Sequence, residues 1–445
     1  MERFAMQKLI EWKEEKRRKP MIIRGARQVG KTWLMKEFGR TQFEQTVYLN
    51  FDENIRIRQI FEGSLEVERL LLAVSAEAGI MVKPENTLLI FDEIQEVPRA
   101  LTALKYFCEN APEYAIVAAG SLLGVAMHQG RSFPVGKASF PVGKVSFMEL
   151  YPLNFREFLM AAGEEALCKL LAGDRGTDHI SLITAMKEKY VDYLRQYYYT
   201  GGMPEAVLDF VEYKDYHRVR KTQKMLLDYY QQDFSKHADP YLVTRLNQVW
   251  NSIPGQLARE NKKFIFGQIR QGARAKEFEL ALQWLEDCGL IHKVHRVSKP
   301  GLPLNAYAEM SAFKIYMNDV GLLAAKSDLP LQAIVDKNQL FTEFKGALTE
   351  QYVLQQFISE TEATPYYYSA ENSRGEIDFL LQSERGILPV EVKAEENLHA
   401  KSLRAFREKY SPEVSLRISM SDYRREEWMV NLPLYCVNES FLREI

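Results

Sequence analysis

The stretch that decides the fold is MIIRGARQVGKT, residues 21–32. It begins as a short apolar run, continues as a glycine-containing loop, and is followed by a helical pattern. The loop fits the spacing G-x-x-x-x-G-K-[ST] with Gly25, Gly30, Lys31 and Thr32. Glycines here let backbone N–H groups point at phosphate oxygens, the lysine reaches the β and γ phosphates, and the threonine hydroxyl holds Mg²⁺. The sequence therefore predicts a site for ATP with Mg²⁺ between a strand and the start of a helix.

Two acids end a later, strongly apolar strand. The stretch NTLLIFDE covers residues 86–93 and places Asp92 and Glu93 after four apolar residues. Asp92 is predicted to support Mg²⁺, and Glu93 to orient the attacking water. The alternative is that the two acids cap the following helix. Ser121 ends the strand YAIVAAGS (114–121) and is a candidate sensor of the γ-phosphate, although a serine after a glycine also suits a turn or cap.

Strand and helix patterns alternate along the first part of the chain. Apolar strands separated by helices indicate a parallel sheet covered on both faces, as in α/β folds. With 445 residues the chain is too long for one core, and its length predicts about three domains. From the patterns we predict a P-loop core, a helical lid, a winged helix-turn-helix and a terminal α/β domain. The predicted bounds are 1–150, 151–240, 241–330 and 331–445.

The composition argues against several classes of protein. A formal net charge of −2 gives no global attraction to nucleic acid, so any nucleic-acid surface has to be local. The four cysteines are far apart and form no CxxC pair, which argues against a zinc site and a disulfide framework and suits a reducing cytoplasm. No apolar run reaches the ~18 residues that suggest a membrane span, so no membrane partner is expected.

A second informative stretch is GEIDFLLQSERGILPVEVKA, residues 375–394. With SERG (383–386) as a turn, residues 376–382 and 387–393 are predicted to pair as an antiparallel hairpin. This register places six apolar side chains on one face, and a slip of one residue would destroy the match. The six are Ile377, Phe379, Leu381, Leu388, Val390 and Val392.

The same register places charged residues on the other face. Asp378 is then opposite Glu391, and Glu376 is opposite Lys393. Directly opposed carboxylates destabilise a hairpin, so a purely structural hairpin would avoid this pair. A divalent cation such as Mg²⁺ removes the repulsion, because carboxylate oxygens are hard ligands. The alternative is a solvated polar face on which Glu376, Lys393 and Arg374 balance charge, and geometry alone does not decide between the two.

Residues 259–276, RENKKFIFGQIRQGARAK, form a basic segment. It contains six Arg or Lys residues and a single acid. The surrounding order of helix, helix, strand and turn suits a winged helix-turn-helix, which can contact DNA phosphates. We therefore predict DNA as a partner. The alternatives are a solvated charged face or a protein-docking module, which is another use of winged helices.

The motifs of the first half resemble those of prokaryotic AAA-type P-loop ATPases. The matching motifs are GARQVGKT (25–32), LLIFDEIQ (88–95) and GS (120–121). The resemblance covers the predicted core and lid and implies ATP binding and ATP hydrolysis. GGMPEAV (201–207) resembles the Gly-x-Pro turn that lies near the adenine in related switch ATPases. No residue is a clear arginine finger, and Arg27, Arg131 and Arg156 are the candidates.

The terminal domain resembles the PD-(D/E)xK nuclease fold. Asp378 followed by Glu391-x-Lys393 matches its motif, Glu350 matches a helix glutamate of resolvase-like members, and Ile377 stands where the motif has proline. The resemblance implies metal ions at Asp378 and Glu391 and phosphodiester cleavage, with Lys393 positioning a water or stabilising the phosphorane. The whole chain resembles ATPases with a DUF4143 C-terminal domain. This resemblance implies a P-loop parallel sheet with a helical lid, a winged helix and a restriction-endonuclease-like α/β domain.

Two functions follow from these patterns. One is an ATP-regulated DNA-processing enzyme in which Asp378, Glu391 and Lys393 cut a phosphodiester. The other is a nucleotide switch whose C-terminal domain only binds nucleic acid or protein. An oligomer is compatible with either. The direct repeat at 132–147, SFPVGKASFPVGKVSF, is interpreted as a duplicated exposed loop; the alternative is a basic ligand loop.

Overall fold

The computed structural model describes residues 1–120, 141, 143–173, 177–259, 261–331, 342–370, 375–396 and 400–445. The chain forms two compact units. The N-terminal unit comprises Glu2–Tyr151 and Gln283–Leu290, and the C-terminal unit comprises Met1, Pro152–Leu282 and Ile291–Ile445. Ser121, Arg131, Arg374 and most of the direct repeat lie outside the described residues.

A parallel sheet and five described helices form the N-terminal unit. The strands are β1 (Met21–Arg24), β2 (Gln45–Asn50), β3 (Thr87–Asp92), β4 (Ala115–Ala119) and β5 (Ser146–Glu149). They lie in the order β2–β3–β4–β1–β5, and every pair of neighbours is parallel. The helices are α1 (Ala5–Glu14), α2 (Lys31–Gln42), α3 (Ile55–Glu62), α4 (Val67–Ala78) and α5 (Pro98–Asn110).

The side chains of β3 and β4 suit their positions in the interior of this sheet. All residues of both strands are buried, as expected for parallel strands that are covered on both faces. Four phenylalanines pack edge to face around the end of β3, with ring centroids 5.1–6.4 Å apart. They are Phe51, Phe61, Phe91 and Phe107. The predicted α/β fold with a parallel sheet is confirmed.

The first part of the C-terminal unit is helical. Its helices are α6 (Phe155–Ala161), α7 (Glu165–Ala172), α8 (Thr177–Ala185), α9 (Lys187–Thr200), α10 (Pro204–Tyr213), α11 (Tyr216–His237) and α12 (Pro240–Leu257). The next helix is α13 (Ala275–Asp287). Gly201 ends α9 and Pro204 begins α10, so the GGMP stretch forms the turn that its glycines and proline predict.

Eight strands form the sheet of the C-terminal unit. They are β6 (Ile291–Val297), β7 (Ala308–Met317), β8 (Tyr366–Ser369), β9 (Glu376–Ser383), β10 (Gly386–Val392), β11 (Ser415–Ser419), β12 (Arg424–Arg425) and β13 (Met429–Pro433). Their order is β12–β13–β11–β10–β9–β8–β6–β7, with parallel and antiparallel pairs. The helices of this part are α14 (Val320–Lys326), α15 (Thr342–Glu360), α16 (Lys401–Tyr410) and α17 (Glu439–Glu444). Within the described ranges, no helix combines the length and apolarity that crossing a membrane requires.

The β9–β10 hairpin has the predicted register. The opposed pairs are Gly386–Ser383, Ile387–Gln382, Leu388–Leu381, Pro389–Leu380 and Val390–Phe379. Beyond the last pair, the Val392 amide donates a hydrogen bond to Asp378 Oδ2 at 2.7 Å. On its other side, β10 runs parallel to β11, and in that register Glu391 lies beside Arg417. The predicted pairing of β9 with β10 is therefore confirmed as far as Val390. Beyond that pair, the contact between the two strands is the hydrogen bond to the Asp378 side chain.

The β6–β7 hairpin lies at one end of the eight-stranded sheet. It follows α12 and α13, in the order that predicted a winged helix. β6 also pairs with β8 in parallel, through Arg296 and Tyr367. The winged helix-turn-helix and the four domain bounds stay predictions.

Asp319 fixes a tight junction between α9, α14 and α15. Its Oδ2 accepts hydrogen bonds from the Gly202 amide at 2.6 Å and Gln355 Nε2 at 3.2 Å, and its Oδ1 accepts one from the Leu322 amide at 2.8 Å. Gly201 has φ +70°, and a Cβ there would lie 2.1 Å from Asp319 Oδ1, so glycine is required. Burial raises the pKa of Asp319 to about 6, although its hydrogen bonds oppose the shift.

Candidate functional site

The glycine-containing loop connects β1 to α2. Gly25 has φ +140°, and a Cβ there would lie 2.2 Å from the carbonyl oxygen of Leu150. A side chain at this position would therefore collide with backbone, independently of its conformational cost. Gly30 precedes the first residue of α2 in a left-handed conformation. Both glycines of the motif thus have a structural reason for their identity.

Lys31 is buried at the start of α2. Its Nζ donates hydrogen bonds to the carbonyl oxygens of Gly25 at 2.8 Å and Ala26 at 2.9 Å. Burial lowers the pKa of Lys31 to about 8, while the charges of Glu93 and Asp92 oppose the shift. The ammonium is therefore held at the loop, within electrostatic reach of the acids at the end of β3.

Asp92 accepts two hydrogen bonds on one carboxylate oxygen. Thr32 Oγ1 donates to Asp92 Oδ2 at 2.7 Å, and the Tyr48 hydroxyl donates to the same oxygen at 2.9 Å. Burial, together with the Asp92 charge, raises the pKa of Tyr48, so this phenol stays protonated and remains a donor. The end of β3 is thereby joined to α2 and to β2.

Glu93 has an uncommon backbone conformation for a residue with a side chain, with φ +50° and ψ +42°. Gln95 Nε2 donates a hydrogen bond to Glu93 Oε2 at 2.7 Å. Strained backbone of this kind persists where the surrounding structure holds it, and functional sites are enriched in it. Gln95 therefore orients the carboxylate that the sequence predicts to orient water.

These residues fit ATP with Mg²⁺. The loop and Lys31 offer donors for phosphate oxygens, and Thr32 and Asp92 offer the hard oxygen ligands that Mg²⁺ prefers. Mg²⁺ needs only one or two protein carboxylates beside phosphate oxygens and water. This agrees with the finding that, in the described part of the chain, no group of three or more His, Cys, Asp or Glu side chains could hold a metal ion. Ser121, the predicted γ-phosphate sensor, lies outside the described residues.

The three candidate arginine fingers differ in their surroundings. Arg27 is exposed in the glycine-containing loop, and Arg131 lies outside the described residues. Arg156, in the C-terminal unit, forms an ion pair with Glu360 at 3.1 Å, and the two side chains are 17% and 4% exposed. Burial raises the pKa of Glu360 to about 7, against the effect of the Arg156 charge. Arg156 thus has a structural partner, and the arginine finger stays a prediction.

The acids of the predicted nuclease motif have partners within the protein. The Val392 amide binds Asp378, and Lys393 Nζ lies 2.8 Å from Glu391 Oε1. Glu391 Oε2 is buried and has no hydrogen-bond partner among the described residues. Burial and the negative charge of Glu350 raise the pKa of Asp378 to about 7. The charge of Glu350 therefore acts on Asp378, and the nuclease role of these residues stays a prediction.

Two lysines that the motif does not include lie among these acids. Lys262 Nζ donates to Glu350 Oε1, and the Tyr316 hydroxyl donates to Glu350 Oε2 at 3.0 Å. Lys314 Nζ lies 2.6 Å from Glu376 Oε1 and 3.7 Å from Glu350 Oε2. Burial would raise the pKa of Glu350, but Lys262 and Lys314 outweigh it and lower that pKa. We call this group the carboxylate cluster; its members are Lys262, Lys314, Tyr316, Glu350, Glu376 and Asp378.

The carboxylate cluster is a poor fit for a divalent metal in this arrangement. Both oxygens of Glu350 accept hydrogen bonds, Glu376 pairs with Lys314, and one oxygen of Asp378 accepts a backbone hydrogen bond. Glu391 Oε2 remains as a buried oxygen that a cation could use. The metal predicted at Asp378 and Glu391 stays a prediction.

The basic segment 259–276 presents most of its charge to solvent. Its exposed members are Arg259, Arg270, Arg274 and Lys276. Arg270 forms an ion pair with Glu277. Lys262 is turned inward to the carboxylate cluster and adds nothing to the exposed surface. The exposed part of the segment is therefore smaller than its composition suggests.

Family comparisons agree with this architecture. Residues 17–159 match the model of the AAA domain, and residues 345–437 match a domain of unknown function, DUF4143. Residues 191–333 match another domain of unknown function, DUF8612. Together, the parallel sheet, the glycine-containing loop and these matches define an AAA-type P-loop ATPase. The chain therefore contains an AAA domain and a DUF4143 domain.

Several solved structures are similar to this chain. A Walker-type ATPase of Pyrococcus abyssi is 14% identical, with a TM-score of 0.44, over 72% of this chain and 94% of that one. The Aeropyrum pernix ORC1 protein in complex with DNA is 12% identical, with a TM-score of 0.26, over 74% and 91%. Drosophila ORC bound to DNA is 11% identical, with a TM-score of 0.25, over 72% and 85%. Comparison with curated protein sequences gave no match.

Sequence reasoning missed five residues of these sites: Tyr48, Gln95, Lys262, Lys314 and Tyr316. A signal for Gln95 was present, because it belongs to the DEIQ stretch that ends β3. Tyr48 could be found only by pairing β2 with β3, which places Asn50 beside Asp92. Lys314 carried no local signal, since its partners lie on β9 and α15.

Replacing Tyr48 by phenylalanine is expected to raise the Mg²⁺ concentration needed for tight nucleotide binding about tenfold. Groups that orient a metal-binding carboxylate typically change metal affinity on this scale. The variant keeps the ring and removes one of the two hydroxyls that donate to Asp92 Oδ2. Binding of a fluorescent ATP analogue at varied Mg²⁺ measures the effect. Tyr106→Phe changes a tyrosine of α5 that is 36% exposed and serves as the control. An unchanged Mg²⁺ requirement in Tyr48→Phe would contradict the assigned role.

Proposed function

We propose that this chain binds ATP with Mg²⁺, hydrolyses it, and couples ATP turnover to DNA binding. The observation that carries the ATP part is the hydrogen bond from Thr32 to Asp92. It joins the residue after the P-loop lysine to the acid at the end of β3. In open α/β sheets, ligands bind beyond the carboxyl ends of the strands, and both the loop after β1 and Asp92 lie at such ends.

Each residue of the site has a distinct role in this proposal. Lys31 compensates phosphate charge, and Thr32 and Asp92 hold Mg²⁺. Bound Mg²⁺ neutralises charge that develops on the phosphate oxygens. Glu93 orients the attacking water, and Gln95 keeps the Glu93 carboxylate in place. The protein contributes positioning and electrostatics, and no covalent intermediate with the chain is required.

The support for DNA binding is the basic segment. Its exposed arginines and lysine form a local positive surface on a chain whose overall charge is slightly negative. Each contact between such a side chain and a phosphate releases counterions and so favours binding at low salt. We propose that this surface holds the phosphate backbone without reading sequence.

Glu93→Gln is expected to bind ATP with nearly wild-type affinity and to hydrolyse it at least about 100-fold more slowly, because general-base assistance typically contributes this much. Phosphate release under single-turnover conditions measures hydrolysis, and ATP retained on the protein measures binding. Glu96→Gln is the matched control, since Glu96 is an exposed acid in the same short turn. Wild-type turnover by Glu93→Gln would refute the proposed role of Glu93.

The double variant Arg274→Ala with Lys276→Ala is expected to bind duplex DNA more weakly. The slope of log affinity against log salt is expected to become shallower by about 1–2, because each phosphate contact contributes about 0.9 to its magnitude. Fluorescence anisotropy of labelled DNA over a range of salt concentrations measures both. The control combines Lys16→Ala with Arg17→Ala, which removes the same charge from two exposed residues of the N-terminal unit. An unchanged slope in the first variant would argue against the proposed surface.

A further inference from the structure

Lys314 is almost completely buried. Its side chain is 1% exposed and extends from β7. A buried ammonium loses its hydration and is stable only with charged or hydrogen-bonded partners. Glu376 on β9 and Glu350 on α15 provide these partners, with N–O distances of 2.6 Å and 3.7 Å. Three separate elements of the C-terminal unit therefore converge on one ammonium group.

The other groups around Lys314 complete an internal charge balance. Lys262 and the Tyr316 hydroxyl bind the two oxygens of Glu350. The two lysines thus oppose the charges of Glu350 and Glu376. Asp378, the third acid, accepts the Val392 amide. The cluster is held together by protein groups on every acid.

We infer that Lys314 is the resident cation of the carboxylate cluster, and that its ammonium takes the place of a divalent metal among Glu350, Glu376 and Asp378. A metal ion that used Glu350 and Glu376 would have to displace this ammonium and also break the hydrogen bonds to Glu350. This inference does not depend on ATP binding or hydrolysis.

The inference can be tested by removing the Lys314 ammonium and asking whether the remaining carboxylates bind a metal ion. If the ammonium fills the cation position, truncation leaves opposed carboxylates with excess negative charge and space between them. Carboxylates in that situation are hard ligands for a divalent ion such as Mn²⁺. Replacement by methionine, in contrast, removes the charge and keeps most of the volume. Lys314→Ala and Lys314→Met therefore form a matched pair.

The test is Mn²⁺ binding by the intact, nucleotide-free protein, followed by electron paramagnetic resonance. Wild type and Asp378→Asn are expected to bind the same amount of Mn²⁺. Lys314→Ala is expected to bind an additional Mn²⁺, which disappears when Asp378→Asn is added to it. Lys314→Met is expected to gain none.

Two results would overturn the inference. One is an Mn²⁺ that wild type binds and Asp378→Asn loses. The other is folded Lys314→Ala that binds no additional ion. If Lys314→Ala folds poorly because one partner of a buried ion pair has been removed, its folded yield is measured with and without Mn²⁺. In that case Mn²⁺ is expected to increase the folded yield of Lys314→Ala severalfold and leave the yield of Lys314→Met unchanged; equal yields with and without Mn²⁺ would count against the inference.

Discussion

A single buried carboxylate organises the nucleotide site. Asp92 is 4% exposed, and an ionised carboxylate in such a position requires donors to compensate for lost hydration. Thr32 from α2 and Tyr48 from β2 provide these donors. β2 and β3 pair in register from Gln45–Thr87 to Asn50–Asp92, and this pairing fixes where Tyr48 stands. The position of the acid therefore depends on the sheet and on the helix after the loop together.

The two groups of acids in this chain are compensated in different ways. Asp92 accepts bonds from neutral hydroxyls, which leave its negative charge in place and its attraction for a cation undiminished. Glu376 meets the ammonium of Lys314 instead, and Glu350 meets Lys262 as well. An ammonium cancels the charge that a divalent ion would use. The same physical requirement, compensation of a buried carboxylate, is thus met by neutral hydroxyls in one unit and by ammonium groups in the other.

Local patterns predicted part of this structure well. The P-loop could be read from residue spacing, since the chemistry of phosphate binding fixes which residue types occur at which positions. The β9–β10 register could be read from side-chain alternation and the turn, because only one register buries the apolar residues on one face. In both cases the interacting residues lie close together in sequence.

Contacts that depend on strand order could not be predicted. Lys262 meets Glu350 across 88 residues, and Tyr48 meets Asp92 across 44. Lys314 reaches Glu376 because the β6–β7 hairpin extends the same sheet that contains β9. No local period encodes that arrangement, so the contacts of Lys262 with Glu350 and of Lys314 with Glu376 had no signal in the sequence.

The most direct measurement of the central claim is calorimetric titration of the intact chain with ATP, in Mg²⁺ and in EDTA, beside Lys31→Ala. ATP is predicted to bind wild type at a single site, at least about tenfold more tightly with Mg²⁺, which corresponds to about 1.4 kcal/mol. Lys31→Ala is predicted to lose most of this binding, since its ammonium is the cation held at the loop. Equal binding by wild type and Lys31→Ala, or no effect of Mg²⁺, would contradict the assignment of the nucleotide site.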